Sequence, residues 1–203
     1  MIHSNATLMS MFQWRAQTTR EWTFLCVYEA FVVIVILYGS STLKAQATLK
    51  NGGAANSNFW IPDLSFSYSP EALYTLMRDE YGPEGRQLYL CIELWDIFAY
   101  GHGYALMLSS LLQWAGTGTS NNNPDDVPSR HLSMLPWIVW GLDQMENSAH
   151  LFCLLNFDEH GPDVMWSSVA SVGSIANVSK WLLFGVSILS FIVLAARRKP
   201  KTD

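Results

Sequence analysis

Charge is what this chain lacks most. Only 14% of its residues are Asp, Glu, Lys or Arg, against about a quarter in an ordinary soluble domain. Too few charges are present to cover a water-facing surface, while half of the chain is hydrophobic. A basic excess is missing too: the net charge of −5 provides no electrostatic footprint for nucleic acid. The three cysteines, Cys26, Cys91 and Cys153, form no regular pattern, and each sits in an apolar stretch. That argues against a disulfide framework or a zinc site and for reduced thiols acting as small hydrophobes. No Gly-x-x-x-x-Gly-Lys, Gly-x-Ser-x-Gly or His-Glu-x-x-His occurs, so phosphate-cradling and common nucleophile or zinc-protease chemistry have no signature. The first 20 residues hold Arg15 and Arg20 but neither a long apolar run nor a small-residue cleavage site. No cleaved secretory signal is expected.

What is present is apolar length. A bilayer core about 30 Å thick needs about 20 helical residues, and four stretches qualify: 22–43, 88–114, 134–157 and 164–196. The first is interrupted only by Glu29, and the last has an uncharged core from Trp181 to Ala196. The inner two carry Glu93, Asp96 and His102, and Asp143, Glu146, Asn147 and His150, and are too polar to face lipid all round. Nine Trp favour membrane–water boundaries. The expected fold is therefore all-α: one polytopic membrane domain over 1–203 with four transmembrane helices.

Turn chemistry supports the division. Asn51-Gly52-Gly53 and Ile61-Pro62-Asp63 break regular structure after the first pass. Ser69-Pro70-Glu71 reads as an N-cap, a proline at the first helical position and an acid in the first turn. The short helix it opens, about 70–80, groups Leu73, Leu76 and Met77 and is expected to lie on the membrane interface. Four passes put both termini on one side with Arg15, Arg20, Arg130, Arg197, Arg198, Lys199 and Lys201. Lys44, Lys50, Arg78, Arg86 and Lys180 fall opposite, so the termini are expected on the positive, matrix-like side.

The chemistry on offer is a polar layer. With Asp143 at zero on a helical wheel, Glu146 falls at about 300°, Asn147 at about 40° and His150 at about 340°, all on one face. Glu93, Asp96 and Tyr100 share a face by i, i+3, i+7 spacing. Counted at 1.5 Å per residue, both faces reach similar depths, Lys180 enters at the same end, and Glu29 reaches roughly the level of Asp143. The candidate residues are thus Glu29, Glu93, Asp96, Asp143, Glu146, Asn147, His150 and Lys180. Four roles stand open: a hydrogen-bonded core fixing helix register, a proton-handling or ligand-binding cavity, and, behind these, a metal and, last, a haem held by His102 and His150, which differ in depth by roughly 11 Å. Glu146-x-x-x-His150 occurs once, whereas di-iron bundles use Glu-x-x-His twice. No catalytic residue, metal or cofactor is assigned.

Tyr68-Ser-Pro-Glu-Ala-Leu-Tyr74, then Tyr81-Gly-Pro-Glu-Gly-Arg86 and Tyr89, resembles the loop-to-helix segment of a family of small, uncharacterised four-helix integral membrane proteins. Glu93-Leu-Trp-Asp96, Asp143-Gln-Met-Glu146-Asn147 and Lys180-Trp181 are similar to that family's acids and last-helix start. The resemblance covers roughly Tyr68 to Trp181 and implies architecture but no reaction. A fainter similarity of layout links the chain to sterol-isomerase-like membrane proteins, which handle protons beside a greasy ligand.

The leading functional expectation is an accessory, non-catalytic subunit of a large energy-transducing complex, a respiratory-chain or ATP-synthase assembly of the mitochondrial inner membrane. Its partners would be other subunits and lipids, with the polar arm over residues 1–20 held by neighbours. The alternative is a small membrane enzyme using the acid layer for proton transfer on a lipid-like substrate. A transporter ranks last, for want of an internal repeat.

Overall fold

A computed structural model describes residues 16, 18–50, 59–116 and 131–197. Every described element is helical. Helix α1 spans Thr19–Lys50, α2 Pro70–Thr75, α3 Gly82–Trp95, α4 Gly101–Gly116, α5 Leu135–Leu155 and α6 Val164–Arg197. A π-helical stretch, Leu76–Tyr81, follows α2, and a second, Asp96–Tyr100, joins α3 to α4 into one rod.

Local sequence explains the boundaries. Thr18 and Glu21 form a reciprocal capping box at the start of α1, each side chain accepting the other's backbone N–H at 3.3 and 2.9 Å. Ser69 Oγ caps α2 by accepting from Ala72 N, with Pro70 at the first position. Asp163 Oδ1 accepts from Trp166 N at the start of α6. Between the first π stretch and α3, Gly82 adopts φ +64°, which a side chain would oppose.

Four rods follow: α1, α3–α4, α5 and α6. Their directions can be read from hydrogen bonds at each end. Lys50 Nζ donates to the carbonyls of Arg78 and Asp79, and Arg86 pairs with Glu159 at 2.6 Å. These contacts gather the end of α1, the start of α3 and the α5–α6 turn. At the other end Ala16 N donates to Ser110 Oγ, and Ser109 Oγ to Ser133 O. The rods therefore run up, down, up, down.

α1 and α6 are each long and apolar enough to cross a membrane. Both carry much of that apolar surface outward, with Phe24, Val27, Ile34 and Leu37 exposed on α1 and Ile175, Leu182 and Leu189 on α6. The inner rods turn their ionisable groups inward, so their apolar windows are broken by buried acids rather than by a solvated face. In the short helix and the π stretch after it, Leu73, Leu76 and Met77 are fully buried among Leu43, Tyr81, Tyr89 and Trp166, so the apolar face grouped by the sequence packs on protein. The arm over residues 1–15, the connection 117–130 and the terminal basic run from Arg198 lie outside the described residues, and with them five of the seven basic residues expected on the side of the termini.

Candidate functional site

Below that apolar cap lies the polar layer. His150, on α5, is its centre and is fully buried. Its Nε2 lies 2.6 Å from the Tyr68 hydroxyl. Its Nδ1 faces three oxygens: Glu93 Oε1 at 3.0 Å, the Tyr89 hydroxyl at 3.2 Å and Asp63 Oδ1 at 3.5 Å. Tyr89 also donates to Asp63 Oδ2 at 3.0 Å. One turn from His150, Glu146 pairs with Lys180 Nζ at 2.5 Å, and Lys180 reaches Asp143 Oδ1 at 2.9 Å. α3, α5 and α6 each supply members of this network, and the segment between α1 and α2 supplies Asp63 and Tyr68.

That segment enters the bundle because its backbone is tied down. Asn177 Nδ2 donates to Pro62 O and Ser65 O at 3.3 and 2.8 Å, and Tyr68 N donates to Ser174 Oγ at 3.1 Å. Gly173 makes room for Tyr68: a Cβ there would fall 2.9 Å from both the Tyr68 hydroxyl and Ala149 Cβ. Burial alone would raise the pKa of Asp63, but the adjacent His150 imidazole, the charge of Lys180 and the Tyr89 hydroxyl together hold it well below the usual carboxylate range.

Of the sequence-derived candidates, Glu93 joins His150, and Asp143 and Glu146 join Lys180. Asn147 is fully buried in the same layer, with neither side-chain amide atom hydrogen-bonded among the described residues. Asp96 is buried and makes no side-chain hydrogen bond among the described residues; it opens the π stretch, where Gly101 N bonds to Asp96 O. Glu29 stands apart. It packs against Gly103 on α4, where a Cβ would collide with it, and no hydrogen bond or ion pair joins it to the others among the described residues. His102, on another side of the α3–α4 rod, packs against Trp140 with the ring centroids 4.8 Å apart and the planes tilted by 56°.

Asp63, Tyr68 and Tyr89 are the members that sequence reasoning overlooks. Tyr89 lies at i−4 from Glu93 and so on its helical face, a signal that was there to use. Asp63 reads only as part of a turn.

Beside the network a cavity of about 360 Å³ opens between α1 and α6. Val33, Ile36 and Leu37 form its α1 wall, Ile92 and Tyr104 its inner wall, and Trp181 and Phe184 its α6 wall. Asp63, Asp96, Asp143 and Lys180 also line it. Leu37 and Leu64 line it and are themselves well exposed, which places the mouth at the bundle's apolar exterior. Glu93 and His150 sit behind it, reached through Asp63.

No family model, curated protein or solved structure matches the chain.

Proposed function

We propose that this is a four-pass membrane protein that admits a lipid-like molecule between α1 and α6 and moves a proton at its polar end. The single observation that carries the reading is the cavity: greasy walls, a mouth at the apolar exterior, and three carboxyls with one lysine inside. Its volume falls within the usual range for small-molecule sites, roughly 300–1,000 Å³. Asp96 is the proton donor or acceptor in this reading, since the other two acids are already engaged, Asp143 by Lys180 and Asp63 by Tyr89 and His150. A buried carboxyl facing a cavity without a partner changes protonation more readily than one locked in an ion pair. Three acids against one lysine also favour a ligand whose polar end is an amine or a group that becomes cationic as it reacts.

The test uses a photoactivatable sterol or fatty-acyl probe on the full chain in nanodiscs. Labelling should concentrate on cavity residues such as Ile36, Ile92 and Phe184, and should fall sharply in Ile36→Trp, where the indole fills the space. Even labelling along the outer faces of α1 and α6, unchanged in that variant, would mean ordinary lipid contact and sink the proposal. Once a substrate is identified, Asp96→Asn should bind it and lose roughly 10²–10⁴ in turnover.

A second reading, the accessory subunit of an energy-transducing mitochondrial complex, is favoured by the breadth of exposed aromatic and aliphatic surface on α1, including Phe24, Phe31 and Tyr38. Partner helices would cover such a face as well as lipid does. Under that reading Glu93→Gln with Glu146→Gln leaves the parent complex assembled on native gels, and deletion of residues 1–20 weakens it.

A further inference from the structure

We propose that Asp63, Glu93 and His150 form a binding site for one divalent transition-metal ion, of the zinc or manganese class. The ligand atoms His150 Nδ1, one Glu93 oxygen and one Asp63 oxygen all lie within 4.8 Å of one another. His150 Nδ1 is 3.0 Å from Glu93 Oε1 and 3.5 Å from Asp63 Oδ1. Donors bound at about 2.1 Å to a tetrahedral or octahedral ion sit roughly 3.0–3.4 Å apart, so these spacings already bracket a coordination edge.

Hydrogen bonding alone leaves the arrangement unexplained. A neutral imidazole has at most one proton on Nδ1, yet three oxygens converge there. Tyr89 satisfies its own hydroxyl by donating to Asp63 Oδ2. Among the described residues, Glu93 Oε2 and Asp63 Oδ1 are buried and make no hydrogen bond, and Glu93 as a residue is only 1% exposed. Unpartnered carboxylate oxygens in such a place are costly, and a cation satisfies both at once.

The charges agree. Asp63, Glu93, Asp96, Asp143 and Glu146 face one lysine and one histidine, and Lys180 is already shared by Asp143 and Glu146. A dication beside Glu93 and Asp63 neutralises the half of the layer that Lys180 does not reach.

The surroundings also suit a metal. With Nδ1 ligated, the imidazole carries its proton on Nε2 and donates it to the Tyr68 hydroxyl at 2.6 Å, the outer hydrogen bond that orients most metal-bound histidines. One nitrogen and two carboxylates select a borderline ion such as Zn²⁺ or Mn²⁺ over Ca²⁺ or Cu⁺. Three protein ligands leave a coordination position free, as catalytic zinc sites do. Asp63 lines the cavity, so the ion would stand at its inner end. Ion binding is measured without any lipid, so this inference succeeds or fails apart from the cavity proposal.

The experiment takes the full chain in detergent, strips it with chelator, reloads it with Zn²⁺ or Mn²⁺ and counts ions by mass spectrometry after desalting. One ion per chain is expected. Co²⁺ should give visible d–d bands of nitrogen–oxygen coordination. Glu93→Gln and Asp63→Asn, which preserve shape, should each weaken binding at least tenfold, and Tyr68→Phe should weaken it less. Circular dichroism confirms that each variant is folded, and Asp63→Asn, outside the long helices, serves if Glu93→Gln does not fold. Substoichiometric metal in reloaded wild type, or affinity equal in wild type and the folded variants, would reduce the cluster to a histidine–carboxylate hydrogen-bond network and overturn the proposal.

Discussion

Lys180 is the residue on which the largest number of charges depends. It is buried and holds Asp143 and Glu146 at once. Removing one partner of a buried pair leaves uncompensated charge and costs about 3–5 kcal/mol, whereas removing both partners can be close to neutral. Lys180→Met should therefore lower thermal stability in nanodiscs substantially, and adding Glu146→Gln to it should recover part of the loss. Equal melting of the single and double variants would mean that Glu146 does not depend on the lysine. Glu146 alone gives a finer comparison. Glu146→Gln keeps an acceptor for Lys180 and should be milder than Glu146→Leu, which leaves the ammonium with one partner. At this scale the sequence is partly legible. Helical spacing brings Asp143, Glu146 and His150 onto one face, and depth counting places Lys180 with them. It cannot separate Glu29 from the layer, because equal depth says nothing about which neighbour a helix turns toward. Close packing of Gly103 beneath α1 is what sequesters Glu29.

Among the elements, the one that builds the site is the least regular. The segment from Phe59 to Ser69 has no helical or strand period, and its proline and turn residues read as a break in the chain. Its position comes from contacts remote in sequence: Asn177 holds Pro62 O and Ser65 O, and Ser174 receives Tyr68 N. Nothing local to Asp63 announces that arrangement. The long apolar helices announce themselves by length, and the cap at Ser69 by its residue types, so those are legible at once. The Tyr-rich stretch from Tyr68 to Tyr89 is site architecture, since Tyr68 and Tyr89 touch His150 while Tyr81 and Arg86 brace the cap. If Asn177 is what draws the segment inward, Asn177→Ala should leave Ser65 O without its side-chain donor and Pro62 O with Ser65 N alone, at a cost of about 1–3 kcal/mol. Hydrogen exchange is the appropriate readout. The amides of residues 59–69 should exchange faster in the variant, while the middle of α5 stays protected. Uniform acceleration across the bundle would instead make Asn177 a general packing residue. The same variant should bind metal more weakly, because Asp63 loses its fixed position.

For the whole molecule the question is how many times the chain crosses the bilayer. α1 and α6 satisfy length and composition by themselves. The inner rods do not, yet they lie alongside: α3 and α4, joined through the π stretch, make a rod as long as α1 and α6, while α5 is shorter at 21 residues, still about the length a bilayer core needs. Their acids face one another, which is the arrangement a bilayer demands of ionisable groups. Hydrogen bonds at the two ends impose an up, down, up, down course, so under the four-pass proposal the inner rods cross together with α1 and α6. The end holding Lys50, Arg78, Asp79, Arg86, Asp158 and Glu159 is charged and has exposed polar groups, as one membrane surface should. An even number of passes places both termini on the opposite surface. To test this, Cys26, Cys91 and Cys153 are replaced by Ala, and single cysteines are introduced as Ser4→Cys or Thr202→Cys. In sealed vesicles of one orientation both should react with an impermeant maleimide from the same side, and a Glu159→Cys control from the other. Labelling of Ser4→Cys and Thr202→Cys from opposite sides would require an odd number of crossings. One rod would then lie outside the bilayer, and the acid layer would border water rather than lipid.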